Sequence, residues 1–296
     1  MTPRDTLAAT IVVVAWGVNF VAVKVGVTQL PPLLFSALRF AIVALAVVPF
    51  VKPPRDRLGL ILLLALVLGV GHFGVLFIGM RGLDAATAAI SLQLCVPFAA
   101  VVAAVVYGER LGGLGIAGMV VAFLGVALLA GEPHRPDLAS LGLVLFSAIA
   151  WAWSLVVIKR IGPIDPLLLN GWMALFAVPA FLLLSLAFET GQLDALRHAD
   201  RLAWEAVAFS AVITSLIAHT LWYRLVARLP LNQVVPFTLL SPVIGVASGV
   251  VLLGEPLGWH KLLGGVLTVL GVAIVQFRPR NRPTEVEDAA PPVAES

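Results

Sequence analysis

Charged residues are scarce in this sequence. Asp, Glu, Lys and Arg together make up 12% of the 296 residues, whereas hydrophobic residues make up 60%. A soluble domain carries about 25% charged residues, because its surface must be hydrated. The scarcity of charge therefore excludes a soluble globular protein and indicates a chain that crosses a membrane several times.

Cysteine is nearly missing from the sequence, and convincing nucleotide-binding motifs are missing altogether. The only cysteine, Cys95, lies in an apolar run, so no disulfide can form within the chain. The sequence has no Walker A pattern, and the glycine pattern GVGHFG at 69–74 lies inside an apolar run rather than between a strand and a helix. No basic helix or aromatic-basic pattern indicates nucleic acid. We expect no cofactor, no metal ion and no nucleic-acid partner.

Ten apolar segments are long enough to cross a bilayer as helices, since about 20 residues span its hydrocarbon core. Short loops with Pro, Gly or charged residues separate these segments and stop the helices. The predicted spans 1 to 10 are 7–27, 32–51, 58–80, 85–107, 114–130, 138–158, 166–188, 204–226, 231–253 and 259–277. The last stretch, 279–296, is rich in Pro and charge and predicts a disordered cytoplasmic tail.

The second half of the sequence repeats the first. Matched residues recur at an offset of 135 in the early spans of each half and at 146 in the late spans. The matched pairs include Trp16 and Trp151, Lys24 and Lys159, Pro31 and Pro166, Glu109 and Glu255, and Gly125 and Gly271. We therefore predict one five-helix repeat at 1–131 and a second at 138–278.

An odd number of spans per repeat has a topological consequence. The second copy must enter the membrane from the side opposite to the first. The predicted fold is therefore an all-α integral membrane protein with ten transmembrane helices in a 5+5 inverted-topology repeat, an arrangement typical of secondary transporters. With both termini in the cytoplasm, that side carries twelve Lys and Arg against six on the other, so the positive-inside rule favours this orientation.

Four stretches carry a resemblance to a known family. They are AWGVNFVAVKVG at 15–26, PPLLFSALRF at 31–40, YGERL at 107–111 and GVLTVLGVAIV at 265–275. With these motifs the chain resembles the EamA-type transporters of the drug/metabolite transporter superfamily, and most of all their bacterial exporters of O-acetylserine and cysteine. The resemblance covers nearly all ten spans. The second repeat departs from the pattern at Ser154, which stands where the first has Asn19.

Together, the repeat and the resemblance predict a secondary transporter of the inner (plasma) membrane rather than an enzyme. It would export small polar metabolites related to amino acids, by alternating access between the two repeats. The alternatives are a drug, sugar or nucleotide-type carrier of the same superfamily, a membrane-embedded enzyme and a lipid flippase. An enzyme would need an acid, base or metal cluster near one face of the membrane. A flippase would need a wide lateral opening between helices.

Arg39 is the clearest candidate for binding substrate. It lies about eight residues into the second span, near the middle of the membrane. An unpaired charge at this depth costs from ~3 to more than 10 kcal/mol, so Arg39 must face a wet cavity or a partner. A guanidinium group binds carboxylates through two parallel hydrogen bonds. We hypothesise that Arg39 holds a substrate carboxylate, the alternative being a fixed structural ion pair or a contact with carbonyl groups.

Other polar and aromatic residues within spans are further candidates for the substrate site. They are Trp16, Asn19, His72, Gln93, Trp151, His219 and Trp222. Their alternative roles are core packing and hydrogen bonds that hold helices together. No Asp or Glu lies in the middle of a predicted span, so coupling to protons would involve His72, His219 or Glu109.

A second group of residues suggests gating or structural roles. Lys24 and Lys159 lie near helix ends, where the ammonium group can reach the interface or take part in a gate. Glu109 and Glu255 are expected to cap the loops that follow spans 4 and 9.

Prolines and glycines complete the set of structural candidates. Pro97 and Pro242 are expected to kink their helices, because proline has no N–H for the helical hydrogen bond. Spans 5 and 10 carry glycines that allow close packing, either as scaffold or as the surface of a homodimer. The expected partners are thus a small-molecule substrate, the lipid bilayer and a second copy of the chain.

Overall fold

The computed structural model describes residues 1–109, 111–130, 137–229 and 231–277. Nearly all of these residues are helical. Within the described ranges, nine helices are long and apolar enough to cross a membrane. The described part of the chain is therefore helical and suited to several membrane crossings. The predicted disordered tail at 279–296 lies outside the described residues.

The helices follow the order of the predicted spans. Those of the first half are α1 (Pro3–Gln29), α2 (Pro32–Phe50), α3 (Leu58–Arg81), α4 (Ala85–Tyr107) and α5 (Gly112–Ala130). The second half begins with α6 (Leu138–Ile161) and α7 (Pro166–Phe188). The short surface helix Gln192–His198 then leads into α8, which is continuous through Arg201–Ala208, Phe209–Ala218 and His219–Arg228. Two shorter helices, Leu231–Thr238 and Leu240–Leu253, form α9, and α10 is Trp259–Phe277.

Carboxylates at the N-terminal ends explain where several helices begin. Asp137 accepts hydrogen bonds from the backbone N–H groups of Ala139 and Ser140 at the start of α6, and the hydroxyl of Ser140 donates a third. The hydrogen bonds from Ser140 hold the pKa of Asp137 below its ordinary value. Asp165 and Asp200 act in the same way at α7 and α8. These side chains satisfy N–H groups that have no partner inside the helix.

The helices α4 and α9 are interrupted at related positions. A 3₁₀ turn at Leu92–Leu94 divides α4, and α9 breaks between Thr238 and Leu240. Each interruption lies just before a proline, Pro97 in α4 and Pro242 in α9. Because proline has no N–H to bond the carbonyl four residues earlier, regular α-helical hydrogen bonding fails at these points.

The helices α3 and α8 share another irregularity. Each contains a ten-residue π-helical segment, Ala65–Gly74 in α3 and Phe209–Ala218 in α8. A π-helix bonds each N–H to the carbonyl five residues earlier, which changes the direction of the following side chains. His72 lies in the first of these segments, and His219 directly follows the second.

Glycines bring α5 and α10 into close contact. A Cβ atom added at Gly125 would lie 2.6 Å from the carbonyl oxygen of Gly264, and one added at Gly118 would lie 2.8 Å from that of Gly271. The two backbones therefore approach each other as they do in glycine-mediated helix pairs of membrane proteins. The glycines serve a contact within the chain. The predicted homodimer would have to use the outward faces of the two helices, which expose residues such as Leu114.

Two faces of the helical bundle are named here by the ends of α1. At the Met1 face, the amino group of Met1 donates to Gln233, and Arg228 pairs with Asp5 over 3.1 Å. At the Gln29 face, the side-chain oxygen of Gln29 accepts a hydrogen bond from the backbone N–H of Asp200. The ends of the other helices lie at one or the other of these faces.

The close contact between α5 and α10 leads to a stability prediction. Replacing Gly125 by Leu places a side chain against the backbone of α10, so the variant should lose at least roughly 1–3 kcal/mol of stability, the range for overpacking. Gly113, in the first turn of α5, has open space around its Cα and provides the control Gly113→Leu. Thermal unfolding in detergent should show a lower Tm for Gly125→Leu alone. An equal decrease in Tm in both variants would show that α5 and α10 are not in close contact at Gly125.

Candidate functional site

A hydrogen-bonded network joins α1 to the π-helical segment of α8. The side-chain oxygen of Asn19 accepts hydrogen bonds from the hydroxyls of Ser210 and Thr214, over 2.8 and 3.1 Å. Ser210 and Thr214 are buried, and their hydroxyls need a partner away from water. The polar side of this segment therefore faces α1 in the interior of the bundle.

Arg39 of α2 joins the same network from another direction. Its Nε atom donates to the hydroxyl of Ser215 over 3.0 Å, and that hydroxyl donates to the carbonyl of Ser210. Asn170 of α7 donates to the carbonyl of Ser215 over 2.9 Å. Residues from α1, α2 and α7 thus converge on one irregular stretch of α8.

The guanidinium of Arg39 lies among aromatic rings rather than acids. Its Cζ atom is 4.7 Å from the ring centroid of Phe73 and 5.4 Å from that of Phe77. The side chain is 1% exposed, and one terminal nitrogen, Nη1, has no hydrogen-bond partner among the described residues. The ion pairs found in these ranges do not include Arg39. Arg39 is therefore a buried cation whose stabilisation comes from one hydroxyl and from ring faces.

The ring of Phe73 contacts Arg39 and also the two histidines that lie within predicted spans, His72 and His219. The ring centroid of Phe73 lies 4.6 Å from that of His72 and 6.4 Å from that of His219. The Nδ1 atom of His72 lies 3.0 Å from the carbonyl oxygen of Ser147, so its N–H donates there. The Nδ1 atom of His219 lies 2.6 Å from the carbonyl of Thr214, five residues earlier in the π-helical register. Both hydrogen bonds fix the orientation of the imidazole rings.

Two tryptophans extend this cluster towards the Met1 face. The ring of Trp16 lies 5.4 Å from His219 and 5.3 Å from Trp222, measured between centroids. The indole N–H of Trp16 is buried and lacks a hydrogen-bond partner within the described part of the chain. Trp16, His219 and Trp222 therefore form one end of an aromatic and polar cluster, with Arg39 at the other.

The remaining predicted substrate residues lie elsewhere. Trp151 packs against the apolar cluster formed by α2, α3 and α7. Gln93 is half-buried in the 3₁₀ turn of α4. The structure thus brings together six of the eight predicted substrate residues, namely Trp16, Asn19, Arg39, His72, His219 and Trp222, and leaves Trp151 and Gln93 outside the contacts of that cluster.

At the Gln29 face, two charged side chains hold the turn between α3 and α4. The ammonium of Lys24 donates to the backbone carbonyls of Met80 and Arg81, each over 3.1 Å. The carboxylate of Glu255 accepts from the backbone N–H groups of Ala85 and Ala86, over 2.6 and 2.9 Å. The cation therefore lies at the C-terminal end of α3 and the anion at the N-terminal end of α4.

The repeat-related partners of these two residues have different surroundings. Lys159 lies over the ring of Tyr107, 3.7 Å from its centroid. Glu109 is exposed, and no hydrogen bond or ion pair involves it in the described ranges. Sequence reasoning expected both glutamates to cap a loop. In the structure, Glu255 binds a helix N-terminus on another element, and Glu109 does not.

Sequence reasoning overlooked Phe73 and the hydroxyl residues of α8. Ser210, Thr214 and Ser215 are spaced by four or five residues, which fits one face of a helix that widens from an α to a π register. That spacing was the available signal. Phe73 lacked any signal of its own, since phenylalanine is common in apolar spans.

The unpaired charge of Arg39 leads to a second stability prediction. Replacing Arg39 by Met removes a buried cation and keeps an apolar stem, so Tm should stay unchanged or rise, because a buried charge without a counter-charge typically destabilises a protein by ~3–5 kcal/mol. Lys261→Met is the control, since Lys261 is buried and paired with Asp84. Its loss should lower Tm in the same detergent. A comparable loss for Arg39→Met would make Arg39 a structural residue.

Comparison with known proteins agrees with this architecture. A family model described as the EamA-like transporter family matches residues 6–131 and 138–277. A protein of Salmonella typhimurium named "Probable amino-acid metabolite efflux pump" is 35% identical over 294 residues, which cover 96% of this chain and 98% of that protein. A protein of the same name in Escherichia coli is 32% identical, with coverage of 95% and 98%.

A more distant relative and a solved structure extend the comparison. The "Probable terminal-alkyne amino-acid exporter" of Streptantibioticus cattleyicolor is 28% identical over 94% of this chain and 95% of its own. A crystal structure of a protein with 19% identity superposes with a TM-score of 0.64, covering 93% of this chain and 96% of that one, and shows a shared fold. The family and these names indicate a transporter rather than an enzyme. The chain belongs to the EamA-like transporter family.

Proposed function

We propose that this protein is a secondary transporter that exports small polar amino-acid metabolites, such as O-acetylserine and cysteine, across the inner membrane. The observation that carries the proposal is the buried guanidinium of Arg39, which has an unpaired Nη1 and no carboxylate partner among the described residues. A substrate carboxylate would supply the missing anion. The names of two relatives at 32% and 35% identity, given to amino-acid metabolite efflux pumps, support the same substrate class.

The proposed transport cycle is alternating access between two inverted five-helix repeats. The two short helices of α9 together supply the tenth crossing, with the break before Pro242 inside the membrane. The repeats are α1 to α5 and α6 to α10, and the bend in α9 corresponds to the 3₁₀ turn in α4. Interrupted helices at matching positions of two repeats are the usual indication of a transport site in such folds. Both termini then face the cytoplasm.

The substrate would bind in the cluster around Arg39, Phe73 and His219. A carboxylate can accept hydrogen bonds from Nη1 of Arg39 and from the indole N–H of Trp16, which have no partner among the described residues. Both of these buried groups are donors, so the site favours a ligand rich in acceptors. The aromatic rings of Phe73 and Trp16 supply apolar surface for the rest of a small molecule.

The same charge pattern disfavours one of the alternative carriers. A cationic drug would meet the guanidinium of Arg39 in a site where the described residues place no acid to offset it. Like charges repel strongly in a region of low dielectric constant. A carrier of cationic drugs would therefore need a different binding site.

Counterflow in proteoliposomes tests the proposal without assuming a driving force. Vesicles loaded with unlabelled cysteine should accumulate labelled O-acetylserine through the wild-type protein. Arg39→Met should reduce the rate at least tenfold, since hydrogen bonds to charged groups contribute about 1.5–3 kcal/mol. Arg39→Lys should retain an intermediate rate, because lysine keeps the charge but lacks the planar fork.

Two controls sharpen the counterflow measurement. Arg55→Met removes an exposed arginine at the Met1 face and should transport like the wild type. Cysteine methyl ester, which lacks the carboxylate, should fail to drive exchange. Equal accumulation in vesicles without protein, or full activity of Arg39→Met, would refute the assignment of amino-acid substrates to this site.

A further inference from the structure

The turn between α3 and α4 is held by charges of opposite sign, one at each helix end. Lys24 binds the last carbonyls of α3, and Glu255 binds the first N–H groups of α4. A helix carries partial negative charge at its C-terminal end and partial positive charge at its N-terminal end, so each side chain has the favourable sign. We call Lys24 and Glu255 the Gln29-face clamp.

The inverted repeat places a second pair of the same residue types at the opposite face. Lys159 follows Lys24 at an offset of 135, and Glu109 precedes Glu255 at an offset of 146. The same offset of 146 takes Ala85 and Ala86 to the first residues of α9, 231 and 232. We call Lys159 and Glu109 the Met1-face clamp, and its targets are the last residues of α8 and the first residues of α9.

The Met1-face clamp is not formed in this structure. Lys159 lies over Tyr107, and Glu109 is exposed without a described partner. The end of α8 is instead held by α1, because Arg228 pairs with Asp5. At the same face Met1 contacts Gln233 at the start of α9. The end of α8 and the start of α9 are therefore held by α1, whereas Lys159 at the end of α6 lies over Tyr107.

Packing of the interrupted helices shows the same difference between the faces. At the Gln29 face, the first half of α4 packs against the second half of α9. Their backbones come close, since a Cβ atom at Gly245 would lie 2.7 Å from that of Ala89. At the Met1 face, the second half of α4 packs against α6, and the first half of α9 packs against α1. The interrupted helices α4 and α9 are thus in direct contact at the Gln29 face, whereas at the Met1 face each of them packs against the first helix of the other repeat.

From this asymmetry we propose that the two clamps form in alternation and determine which face of the transporter is closed. The proposal rests on the alternating access proposed above. Release of Glu255 and Lys24 opens the Gln29 face, and binding of Lys159 to the end of α8 and of Glu109 to the start of α9 closes the Met1 face. Glu109 is therefore a positioning residue of the transport cycle, although in this conformation no hydrogen bond or ion pair within the described ranges indicates that role.

One further contact distinguishes the two clamps. The ammonium of Lys261 binds the carboxylate of Asp84 beside the Gln29-face clamp and also donates to the carbonyl of Pro256. The residue at offset 146 from Lys261 is Gly115, which has no charge to offer. The Gln29 face therefore has an ion pair without an equivalent in the other repeat, and in the proposed cycle this pair favours the state in which that face is closed.

Distances between spin labels in nanodiscs can test the alternation without any substrate. The background is Cys95→Ala, with labels on exposed residues. One pair, Arg81→Cys with Leu257→Cys, reports on the Gln29 face, and the other, Arg224→Cys with Leu114→Cys, reports on the Met1 face. Glu255→Gln should lengthen the first distance and shorten the second. The ratio of the two states should shift at least roughly tenfold, because hydrogen bonds to a charged group contribute about 1.5–3 kcal/mol.

Reversal by a second substitution is the decisive result. Adding Glu109→Gln to Glu255→Gln should restore much of the wild-type distribution, because both closed states then lack their carboxylate. Asp56→Asn, an exposed acid at the Met1 face, is the matched control and should restore nothing. If Glu109→Gln has no more effect than Asp56→Asn, the alternation is refuted. If Glu255→Gln fails to fold, Lys24→Met takes its place as the variant that disrupts the Gln29-face clamp.

Counterflow with the same variants separates this inference from the proposed substrate. Glu109→Gln alone should slow exchange several-fold, whereas removal of a surface acid without a role would leave the rate unchanged. Distances that respond as expected in a protein that moves no amino acid would refute the proposed substrate and support the clamps. Normal counterflow with distances that do not respond would refute the clamps and leave the proposed function standing.

Discussion

The N–H groups at the helix starts and the charges buried between the helices have to be satisfied largely by other groups of the protein. The bilayer interior supplies no hydrogen-bonding partners, so the protein must provide them. Asp137, Asp165 and Asp200 meet this need locally, each at the start of its own helix. Glu189 and Glu255 meet it across the fold, since they bind the N-terminal ends of α2 and α4. Caps that join different helices are the ones that can be exchanged when helices move.

Sequence could predict what each segment does by itself, and it could predict the repeat. Local pattern predicts the spans and the prolines at the interruptions. The constant offset predicts that Lys24 and Lys159 occupy equivalent positions in the two repeats. The sequence could not predict which of two repeat-related residues binds a helix end. Lys24 binds carbonyls and Lys159 lies over a ring, and this difference depends on how the two halves are arranged. Residues with equal local sequence therefore have unequal contacts.

The site was predictable to a similar extent. Arg39 could be identified because a mid-membrane charge is costly wherever it lies. The network that receives it could not, because it depends on the π register of α8. The hydroxyl of Ser215 reaches the carbonyl of Ser210, and His219 reaches that of Thr214, each five residues back. In a regular α-helix these groups would point in other directions, and the propensities of Ser and Thr do not predict a π-helix.

The buried charge and the clamps have a common physical logic in the proposed cycle. Closing both faces around Arg39 without a counterion would leave a cation in a dry interior, which is costly. A bound carboxylate neutralises that charge, so the protein loaded with substrate meets a lower barrier to occlusion than the empty one. Each clamp consists of only a few hydrogen bonds. A change in free energy of similar size at Arg39 can therefore determine which clamp forms. Substrate binding and gating are in this way coupled through electrostatics, with no titratable acid needed in the middle of the membrane.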